Sequence, residues 1–423
     1  MTTVRGSLAL LALLGWLVGA PLAAAPGGLL LTEIDTIVTE HVYDPALAGA
    51  EWSAAVAAAR ATLEDEALPG QGVDRAVAEL LASLEVSHTR RFHPNEAAYY
   101  QLLGIFRPSL VERHPELFPD GVTPLYPGIG IATESIEGRL FVSAVYDGQP
   151  GAEAGVQLGD EILAVAGEPY DGVASFRPWV DRETVLTVRR QADQAPIDLA
   201  ITPQLLDAET LFLDAMRASM RIESRPGARG PVQVGYVHIW SYAGRQYHDL
   251  LEAAVAPGGK LASADVLVVD LRGGWGGADP DYLGLFDPDV PVLTMIPREG
   301  EPSEWSPRWR KPVVVVIDDT SRSGKEILAW GFERFGLGTL VGGRTAGAVV
   351  AGRPFVLSDG SVLYLAVADV RVDGVRLEGV GVPPEHEVPF ELPHAAGYDP
   401  RLERAFAVAV ERAEAKTDSS TKD

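Results

Sequence analysis

Two short segments that follow apolar strands hold the residues best suited to covalent chemistry. The first is DDTSRSGKE at 318–326, which comes directly after the apolar run Val313–Ile317. A serine where a strand ends and a helix begins sits exposed on a tight turn, where the following amides and the helix dipole favour negative charge. Ser323 is therefore a candidate nucleophile, followed by the amide of Gly324. The alternative is structural, because Ser323 and Glu326 also fit a capping box at a helix N-terminus.

The second segment is the glycine-rich run RGGWGG at 272–277, which follows the apolar run 266–271. Glycines let the backbone turn sharply and present several amides at one point, an arrangement that suits an oxyanion or a phosphate. The run fits neither a phosphate loop ending in Lys-Ser/Thr nor the pattern G-x-G-x-x-G. By itself it identifies no activity.

The elements around these segments alternate between buried strands and amphipathic helices. Near-continuous apolar runs predict strands at 233–239, 264–271 and 313–318, and the spacing between them predicts helices at 247–255 and 326–335. Strands without polar alternation belong to a sheet that is covered on both faces. The pattern therefore predicts an α/β domain.

The remaining regions have different patterns. Apolar residues recur at helical spacing from Leu29 to about Tyr100, a proline-rich passage follows, and short alternating strands begin at Gly128. At the C-terminal end a helix is predicted over 399–415, and the polar tail 416–423 is predicted to be disordered.

Composition excludes several classes of function. The 423 residues include 59 acidic and 35 basic side chains, giving a formal net charge of −24. Such a surface argues against binding nucleic acid or anionic membranes. Cysteine is absent, so the chain has no disulfide and no thiolate site. We expect no cofactor and no metal: His238 and His248 lack a zinc motif and are interpreted as structural.

The N-terminus resembles a secretory signal. Arg5 precedes an apolar run from Leu8 to Val18, which is followed by small residues at 19–25. This run is shorter than the roughly 20 residues of a membrane span. We therefore predict a signal peptide at 1–25 and an exported protein, periplasmic or extracellular, with an uncleaved anchor as the alternative.

The middle of the chain resembles a PDZ domain. GIGI at 128–131 is similar to the carboxylate-binding loop of that family, and GAEAGVQLGDEIL at 151–163 is similar to its most recognisable stretch. PDZ domains receive a peptide as an added strand and hold its terminal carboxylate with loop amides. The resemblance thus implies peptide binding by Gly128, Ile129, Gly130 and Ile131, with a purely structural role as the alternative.

The order of motifs over most of the chain resembles the C-terminal processing proteases and their tricorn-like relatives. The motifs are DLRGGWGG, TSRSGKEILA, LVGGRTAG, LSDGSVLYL and LEGVGVPPEHEV. The resemblance places the nucleophile at Ser323 rather than Ser321. It implies a multi-domain α/β protein, which we divide into a signal peptide (1–25), an N-terminal helical domain (28–105), a PDZ β-sandwich-like domain (126–204), an α/β crotonase-like (ClpP-like) peptidase domain (205–395), and a C-terminal helix with a polar tail (396–423).

One departure selects between the two branches of this family. The lysine that pairs with the serine in C-terminal processing proteases is replaced here by Ala348, and Lys325, two residues after Ser323, points away from it at a helix start. The tricorn-like branch uses serine, histidine and glutamate. Its elements match LEVSHT, with His88 as the base beside Ser87, and LEGVGVP, with Glu378 orienting the base.

The resemblance therefore implies a serine endopeptidase that acts on peptides or proteins through an acyl-enzyme, while the PDZ domain binds or presents the substrate C-terminus. The oxyanion is expected near the amide of Gly324 and that of Gly273 or Gly274, with Trp275 shaping the cleft. Two alternatives remain. One is an inactive relative that binds peptides or ligands, and the other is an esterase, although only half of its Gly-x-Ser-x-Gly elbow is present. The oligomeric state stays open.

Overall fold

The computed structural model describes residues 27–64, 70–287, 289–306 and 308–420. The predicted signal peptide at 1–25 lies outside these residues. Within the described part, no helix combines the length and apolar character needed to cross a membrane.

The N-terminal part is mainly helical. Its elements are α1 (Gly27–His41), α2 (Ala50–Glu64), α3 (Gly70–Ala82), β1 (Arg90–Phe92), α4 (Ala97–Ile105) and α5 (Arg107–Leu110). In α1 the residues Leu30, Ile34 and Val38 recur at the spacing of one helix face and are buried. They pack in one core with Leu363 and Leu365 from much later in the chain.

A small antiparallel sheet follows. Its strands and helix are β2 (Tyr126–Gly128), β3 (Ile131–Ile136), β4 (Arg139–Val145), α6 (Pro150–Glu153), β5 (Glu161–Val165), β6 (Glu168–Pro169), β7 (Thr184–Arg189), β8 (Ile197–Ile201) and β9 (Gln204–Leu206). The strand order is β3-β4-β5-β7-β8, with β6 beside β5 and β2 paired with β9. Val142, Leu186 and Val188 are fully buried and form its core. In the described part of the chain β3 is an edge strand of this sheet.

The third part is built on a six-stranded sheet in the order β10-β11-β12-β15-β16-β21. Its elements are α7 (Leu211–Ser219), β10 (Arg221–Gly227), β11 (Gly230–His238), α8 (Arg245–Val255), β12 (Val266–Asp270), β13 (Leu293–Met295), β14 (Ser303–Trp305), β15 (Val313–Ile317), α9 (Gly324–Arg334), β16 (Thr339–Gly342), β17 (Ala351–Val356), β18 (Val362–Ala368), β19 (Arg371–Val372), β20 (Val375–Arg376), β21 (His386–Glu387) and α10 (Pro400–Ser420). From β11 onward neighbouring strands are parallel. Every residue of β12 and β15 is buried, as their unbroken apolar character predicts. The α/β class is therefore confirmed.

A three-stranded sheet, β1-β18-β17, joins the N-terminal part to the α/β part. In its register Arg90 of β1 lies opposite Tyr364 of β18. Because β1 begins two residues after His88, this pairing brings the Ser87–His88 turn against the α/β part.

The C-terminal helix is longer than predicted. It covers the sheet through the buried residues Ala405, Phe406 and Val408, and it continues to Ser420 rather than ending near 415. The prediction of disorder from 416 is therefore wrong for 416–420. The Lys416 side chain donates to the Arg310 carbonyl. Extending a helix that is already formed and packed requires little further ordering.

Candidate active site

The turn between β15 and α9 holds Ser323 in an unusual conformation. Its φ is 58° and its ψ is −130°, a backbone region that a residue with a side chain rarely adopts. The Ser323 amide donates to the Ala348 carbonyl at 2.8 Å and to the Glu326 carboxylate at 3.1 Å. The second bond is one half of the predicted capping box. These contacts fix the strained turn and leave Ser323 partly exposed.

Glu326 does more than cap a helix. Its fully buried carboxylate also accepts hydrogen bonds from the Thr345 hydroxyl at 2.6 Å and from the amides of Gly347 and Ala348, both at 2.7 Å. Burial raises the pKa of Glu326, although these donors oppose the shift. Glu326 thereby ties the Ser323 turn to the 345–348 segment. Sequence analysis identified the residue only as a capping partner.

Ser87, His88 and Glu378 are in direct contact. The Glu378 carboxylate accepts from the Ser87 amide and the Ser87 hydroxyl, both at 3.0 Å. The Ser87 Oγ lies 2.9 Å from His88 Nδ1. Since the only hydroxyl proton of Ser87 points at Glu378, Nδ1 must be the donor in the contact with His88. Nε2 of the neutral ring is then the nitrogen that can accept a proton.

Glu378 also connects this group to the Ser323 turn. Its Oε2 accepts from the amides of Val349 at 2.6 Å and Val350 at 3.2 Å, immediately after Ala348. The carbonyl of Ala348 is the one that accepts from Ser323. Residues 348–350 therefore link the Ser323 turn to the histidine–glutamate group.

Electrostatics keep His88 neutral. Burial, together with the nearby positive charge of Arg322, lowers the pKa of His88 to about 4, and the negative charge of Glu378 partly offsets the shift. His88 also has a positive φ of 55° and packs against the Tyr364 ring at a centroid distance of 5.4 Å. A neutral imidazole at physiological pH is competent to accept a proton.

The predicted oxyanion loop lies against the Ser323 turn, with Gly276 beside Ser323. The Gly273 amide already donates to the Thr320 hydroxyl at 2.7 Å, and Gly274 lies against the Trp240 carbonyl. Gly276 is the glycine of this loop that lies against Ser323. A Cβ added at Gly276 would lie 2.5 Å from Ser323 Cβ and 3.0 Å from the Gly324 nitrogen. In the described chain the amides of Gly274, Gly276 and Gly324 have no internal acceptor.

Lys325 is fully buried and holds the same loop. Its Nζ donates to the carbonyls of Gly273 at 2.7 Å and Trp240 at 3.1 Å. Burial lowers the pKa of Lys325 to about 7, and the carboxylates of Asp270 and Asp318 oppose the shift. The side chain is thus engaged with backbone carbonyls, in line with the expectation that it does not serve as the base.

No other described lysine bonds to the Ser323 turn. The remaining described lysines each donate to a backbone carbonyl elsewhere: Lys260 to Arg217, Lys311 to Ala262 and Ala264, and Lys416 to Arg310. Lys422 lies outside the described residues. Ala348, at the position of the family's lysine, is 5 % exposed and its methyl group cannot accept a proton.

Trp275 is partly buried, and its side chain contacts the N-terminal part. Its indole nitrogen donates to the Gln101 side chain at 2.8 Å, and its ring packs toward Phe92 at 6.4 Å. It therefore anchors the glycine-rich loop to α4 in the N-terminal part.

The two histidines interpreted as structural lie in aromatic stacks. His238 stacks on Trp240 with ring centroids 3.4 Å apart, and its Nε2 lies 3.0 Å from the Arg272 carbonyl. His248 stacks on Tyr282 at 4.1 Å. No cluster of three or more metal-ligating side chains occurs among the described residues.

A cleft of about 1060 Å³ lies between the small antiparallel sheet and the glycine-rich loop next to Arg322. One wall is formed by Ala132, Glu134 and Ile136 of the edge strand β3, and the other by Gly273, Gly274 and Arg322. The chain from Phe390 to Leu402 lines it as well. In the predicted peptide-binding loop that precedes β3, Ile129 is buried, and the carbonyls of Ile129 and Gly130 accept from Gly151 and Tyr146.

The small antiparallel sheet and the parallel sheet that bears Ser323 define a PDZ domain followed by an α/β domain of the S41 peptidase fold. Residues 141–190 match the PDZ domain and residues 233–388 match Peptidase family S41. The chain is similar to carboxyl-terminal processing proteases and tricorn protease homologues.

The individual relatives are distant. The chain is 26 % identical over 306 residues to the carboxyl-terminal-processing protease of Synechocystis, covering 69 % of this chain and 65 % of the relative. It is 28 % identical over 412 residues to tricorn protease homolog 1 of Streptomyces coelicolor, covering 92 % of this chain and 36 % of the relative. The crystal structure of the tricorn protease superposes with a TM-score of 0.53 at 18 % identity, covering 92 % of this chain and 37 % of that one. The similarity to the tricorn protease structure shows that the two proteins share a fold. The coverages show that the chain spans only part of each of these relatives.

Proposed function

We propose that this protein is an exported serine endopeptidase that hydrolyses peptide bonds through an acyl-enzyme on Ser323. The observation that carries the proposal is the contact chain Glu378–Ser87–His88, which is joined through residues 348–350 to the strained turn bearing Ser323. Segments 291 residues apart meet here in the arrangement of acid, hydroxyl and imidazole that orients a general base. The intact network favours an enzyme over the ligand-binding alternative.

The proposed mechanism assigns one role to each group. His88 Nε2 takes the Ser323 hydroxyl proton as Oγ attacks the scissile carbonyl, and Ser87 with Glu378 stabilises the imidazolium that forms. The oxyanion is held by the amides of Gly324 and Gly276, the pair beside Ser323 without internal acceptors. His88 then protonates the leaving amine. Water deprotonated by His88 attacks the acyl-enzyme, and the proton returns to Ser323 as the carboxylic acid is released.

The PDZ domain is proposed to bind the substrate C-terminus. Its edge strand β3 borders the cleft that reaches the glycine-rich loop and Arg322. A peptide added to such an edge gains backbone hydrogen bonds, and its carboxylate is assigned to the amides of the 128–131 loop. A chain bound there extends along the cleft toward Ser323.

The first test is hydrolysis of a fully unfolded protein by the purified chain and by its Ser323→Ala variant. Ser109→Ala is the matched control, because its hydroxyl bonds only the Phe106 carbonyl on an exposed surface. We expect cleavage by the wild type and by the control, and none by Ser323→Ala. Equal cleavage by all three, or by none across a range of pH, contradicts the proposal.

Export is proposed from the N-terminal 25 residues, in which one positive charge, an apolar run and small residues succeed one another. Expression of the whole chain in a bacterium, followed by fractionation and N-terminal sequencing of the product, tests it. A shortened product outside the cytoplasm is expected. A cytoplasmic product that retains residues 1–25 contradicts export.

A further inference from the structure

Four arginines line the cleft, and three of them are neutralised by neighbouring carboxylates. Arg221 pairs with Glu223 at 2.6 Å. Arg272 is bracketed by Asp270 at 2.6 Å and Asp399 at 2.7 Å. Arg401 pairs with Asp318 at 2.8 Å. The sets are Arg221–Glu223, Arg272–Asp270–Asp399 and Arg401–Asp318.

Arg322 is the exception. It is exposed and lines the same cleft, and within the described residues its guanidinium has no hydrogen-bond acceptor and no ion-pair partner. It directly precedes Ser323, and its charge acts on both His88 and Tyr364. The unpaired cation therefore stands beside the reacting groups rather than on a remote surface.

A positive charge at this position is unfavourable for catalysis when no negative charge neutralises it. The proposed reaction passes through an imidazolium on His88, and a neighbouring guanidinium opposes that charge. The charged groups acting on His88 are Arg322 and Glu378, and the Tyr364 ring packs against its imidazole. Only Glu378 is negative, and its carboxylate is already committed to Ser87 and to the amides of 349–350. An anion arriving with the substrate would offset the charge of Arg322.

We propose that Arg322 binds a carboxylate of the peptide substrate, so that the protein prefers chains carrying an acidic side chain or their own C-terminus next to the scissile bond. A planar guanidinium presents two parallel N–H donors that match a carboxylate, and such charge-assisted pairs are stronger than neutral hydrogen bonds. This inference rests on the proposed peptidase function. It adds a specificity residue that lies outside the Ser–His–Glu group.

Four peptides that share one cleavable sequence separate the two sources of the carboxylate. In the first pair, one peptide carries Glu and the other carries Gln beside the scissile bond, and both end in an amide. In the second pair both peptides carry Gln beside the scissile bond and end a few residues beyond it, one in a free acid and the other in an amide. The measured quantity is the ratio of kcat/KM between the members of each pair, for the wild type, Arg322→Gln and Arg322→Lys.

We expect the wild type to favour the carboxylate in at least one pair by about tenfold, the effect of one hydrogen bond to a charged group. Arg322→Gln should bring that ratio close to one, while Arg322→Lys should keep part of it. A changed Glu/Gln ratio identifies a side chain, and a changed acid/amide ratio identifies the C-terminus. The control is Arg217→Gln, which removes an equally exposed charge paired with Asp214 outside the cleft.

A second assay keeps the inference separate from the proposed function. Dissociation constants of the four labelled peptides are measured in a Ser323→Ala background, with and without Arg322→Gln. The amidated Glu and Gln peptides lack the terminus that a PDZ domain needs. If the wild type cleaves nothing, the peptidase proposal fails, and this assay still decides the role of Arg322. The inference is overturned if Arg322→Gln leaves unchanged both the kcat/KM ratios of the first assay and the ratios of dissociation constants in the second.

Discussion

Ser87 and Glu378 are joined by two hydrogen bonds, from the Ser87 amide and from its hydroxyl, although 291 positions separate them in the chain. The same hydroxyl oxygen lies 2.9 Å from His88 Nδ1. The serine therefore transmits the orientation set by the carboxylate to the imidazole, and Glu378 does not bond to the ring itself. This arrangement differs from a triad in which the acid contacts the histidine directly.

The relay predicts that removing the Ser87 hydroxyl impairs catalysis more than folding. Ser87→Ala leaves Nδ1 of His88 without its acceptor, so we expect kcat/KM to fall about 10- to 100-fold, the effect of losing a hydrogen bond in a charged network. Ser87→Thr keeps a hydroxyl and should recover much of the rate. Hydrolysis of a fixed peptide and thermal unfolding are measured together. Wild-type kcat/KM in Ser87→Ala would contradict the relay.

The low pKa of His88 predicts activity at acid pH. Because burial and Arg322 hold the pKa near 4, the acid limb of the kcat/KM profile should lie near pH 4 rather than at the ordinary histidine value near 6.5. Arg322→Gln removes a charge that lowers this pKa, so the limb should move to higher pH. Glu378→Gln removes a charge that raises the pKa of His88, so any residual activity should extend to lower pH. A wild-type limb at 6.5 that Arg322→Gln does not move would contradict the assignment.

The same shift has a consequence for stability. The pKa of His88 is lower in the folded than in the unfolded chain, so between about pH 6.5 and 4 the unfolded state binds more protons. The stabilising contribution of neutral His88 to the free energy of unfolding is fully present above pH 6.5 and is lost as the pH falls from 6.5 to about 4. His88→Gln should therefore flatten the pH dependence of the free energy of unfolding there.

The sequence predicted the α/β scaffold well because its signals are local. Strands β12 and β15 are unbroken apolar runs, and each is followed by a segment rich in small or polar residues that ends it. The Ser323 turn was identifiable for the same reason. The meeting of Ser87 with Glu378 depends instead on the pairing of β1 with β18, which no local pattern specifies. It was inferred from the order of motifs alone.

Residue type also failed to predict which amides of the glycine-rich loop have no hydrogen-bond acceptor within the described protein. From the sequence, the second oxyanion donor is expected to be the amide of Gly273 or Gly274. The structure shows that the Thr320 hydroxyl occupies the Gly273 amide and that Gly276 lies against Ser323. One of the four hydrogen bonds of Glu326, from the Ser323 amide, is the predicted capping-box contact. The other three could not be predicted from local sequence, since their donors lie about 20 residues further along the chain. Such contacts depend on packing in three dimensions.

Lys325 is predicted to position the glycine-rich loop. Lys325→Met keeps most of the buried volume but leaves the Gly273 carbonyl without this donor and the Trp240 carbonyl with the Trp275 amide as its remaining donor. We expect kcat to fall about tenfold with KM changed less than about twofold, because the loop supplies a donor used mainly in the transition state. Lys311→Met is the control, since its amine also bonds two carbonyls, Ala262 and Ala264, away from the loop. Equal effects of the two substitutions would exclude a specific positioning role.

Gly276 is predicted to tolerate no side chain, because the nucleophile turn fills the space beside it. A Cβ at this position would lie 2.5 Å from Ser323 Cβ and 2.8 Å from the Arg322 carbonyl oxygen, closer than unbonded atoms approach. Gly276→Ala must therefore displace either the loop or the Ser323 turn, and a displacement of about 1 Å at a reacting group lowers rates about 100-fold.

The measurement for Gly276→Ala is kcat/KM on one peptide, with circular dichroism and thermal unfolding to establish that the variant folds. Gly284→Ala is the matched control, since the nearest atom to its new Cβ would be the end of the Arg308 side chain at 4.0 Å. We expect the control to retain wild-type activity and the Gly276 variant to lose about 100-fold while remaining folded. A folded Gly276→Ala protein with full activity would show that this loop does not abut the nucleophile during catalysis, and the oxyanion assignment to Gly276 would then be wrong.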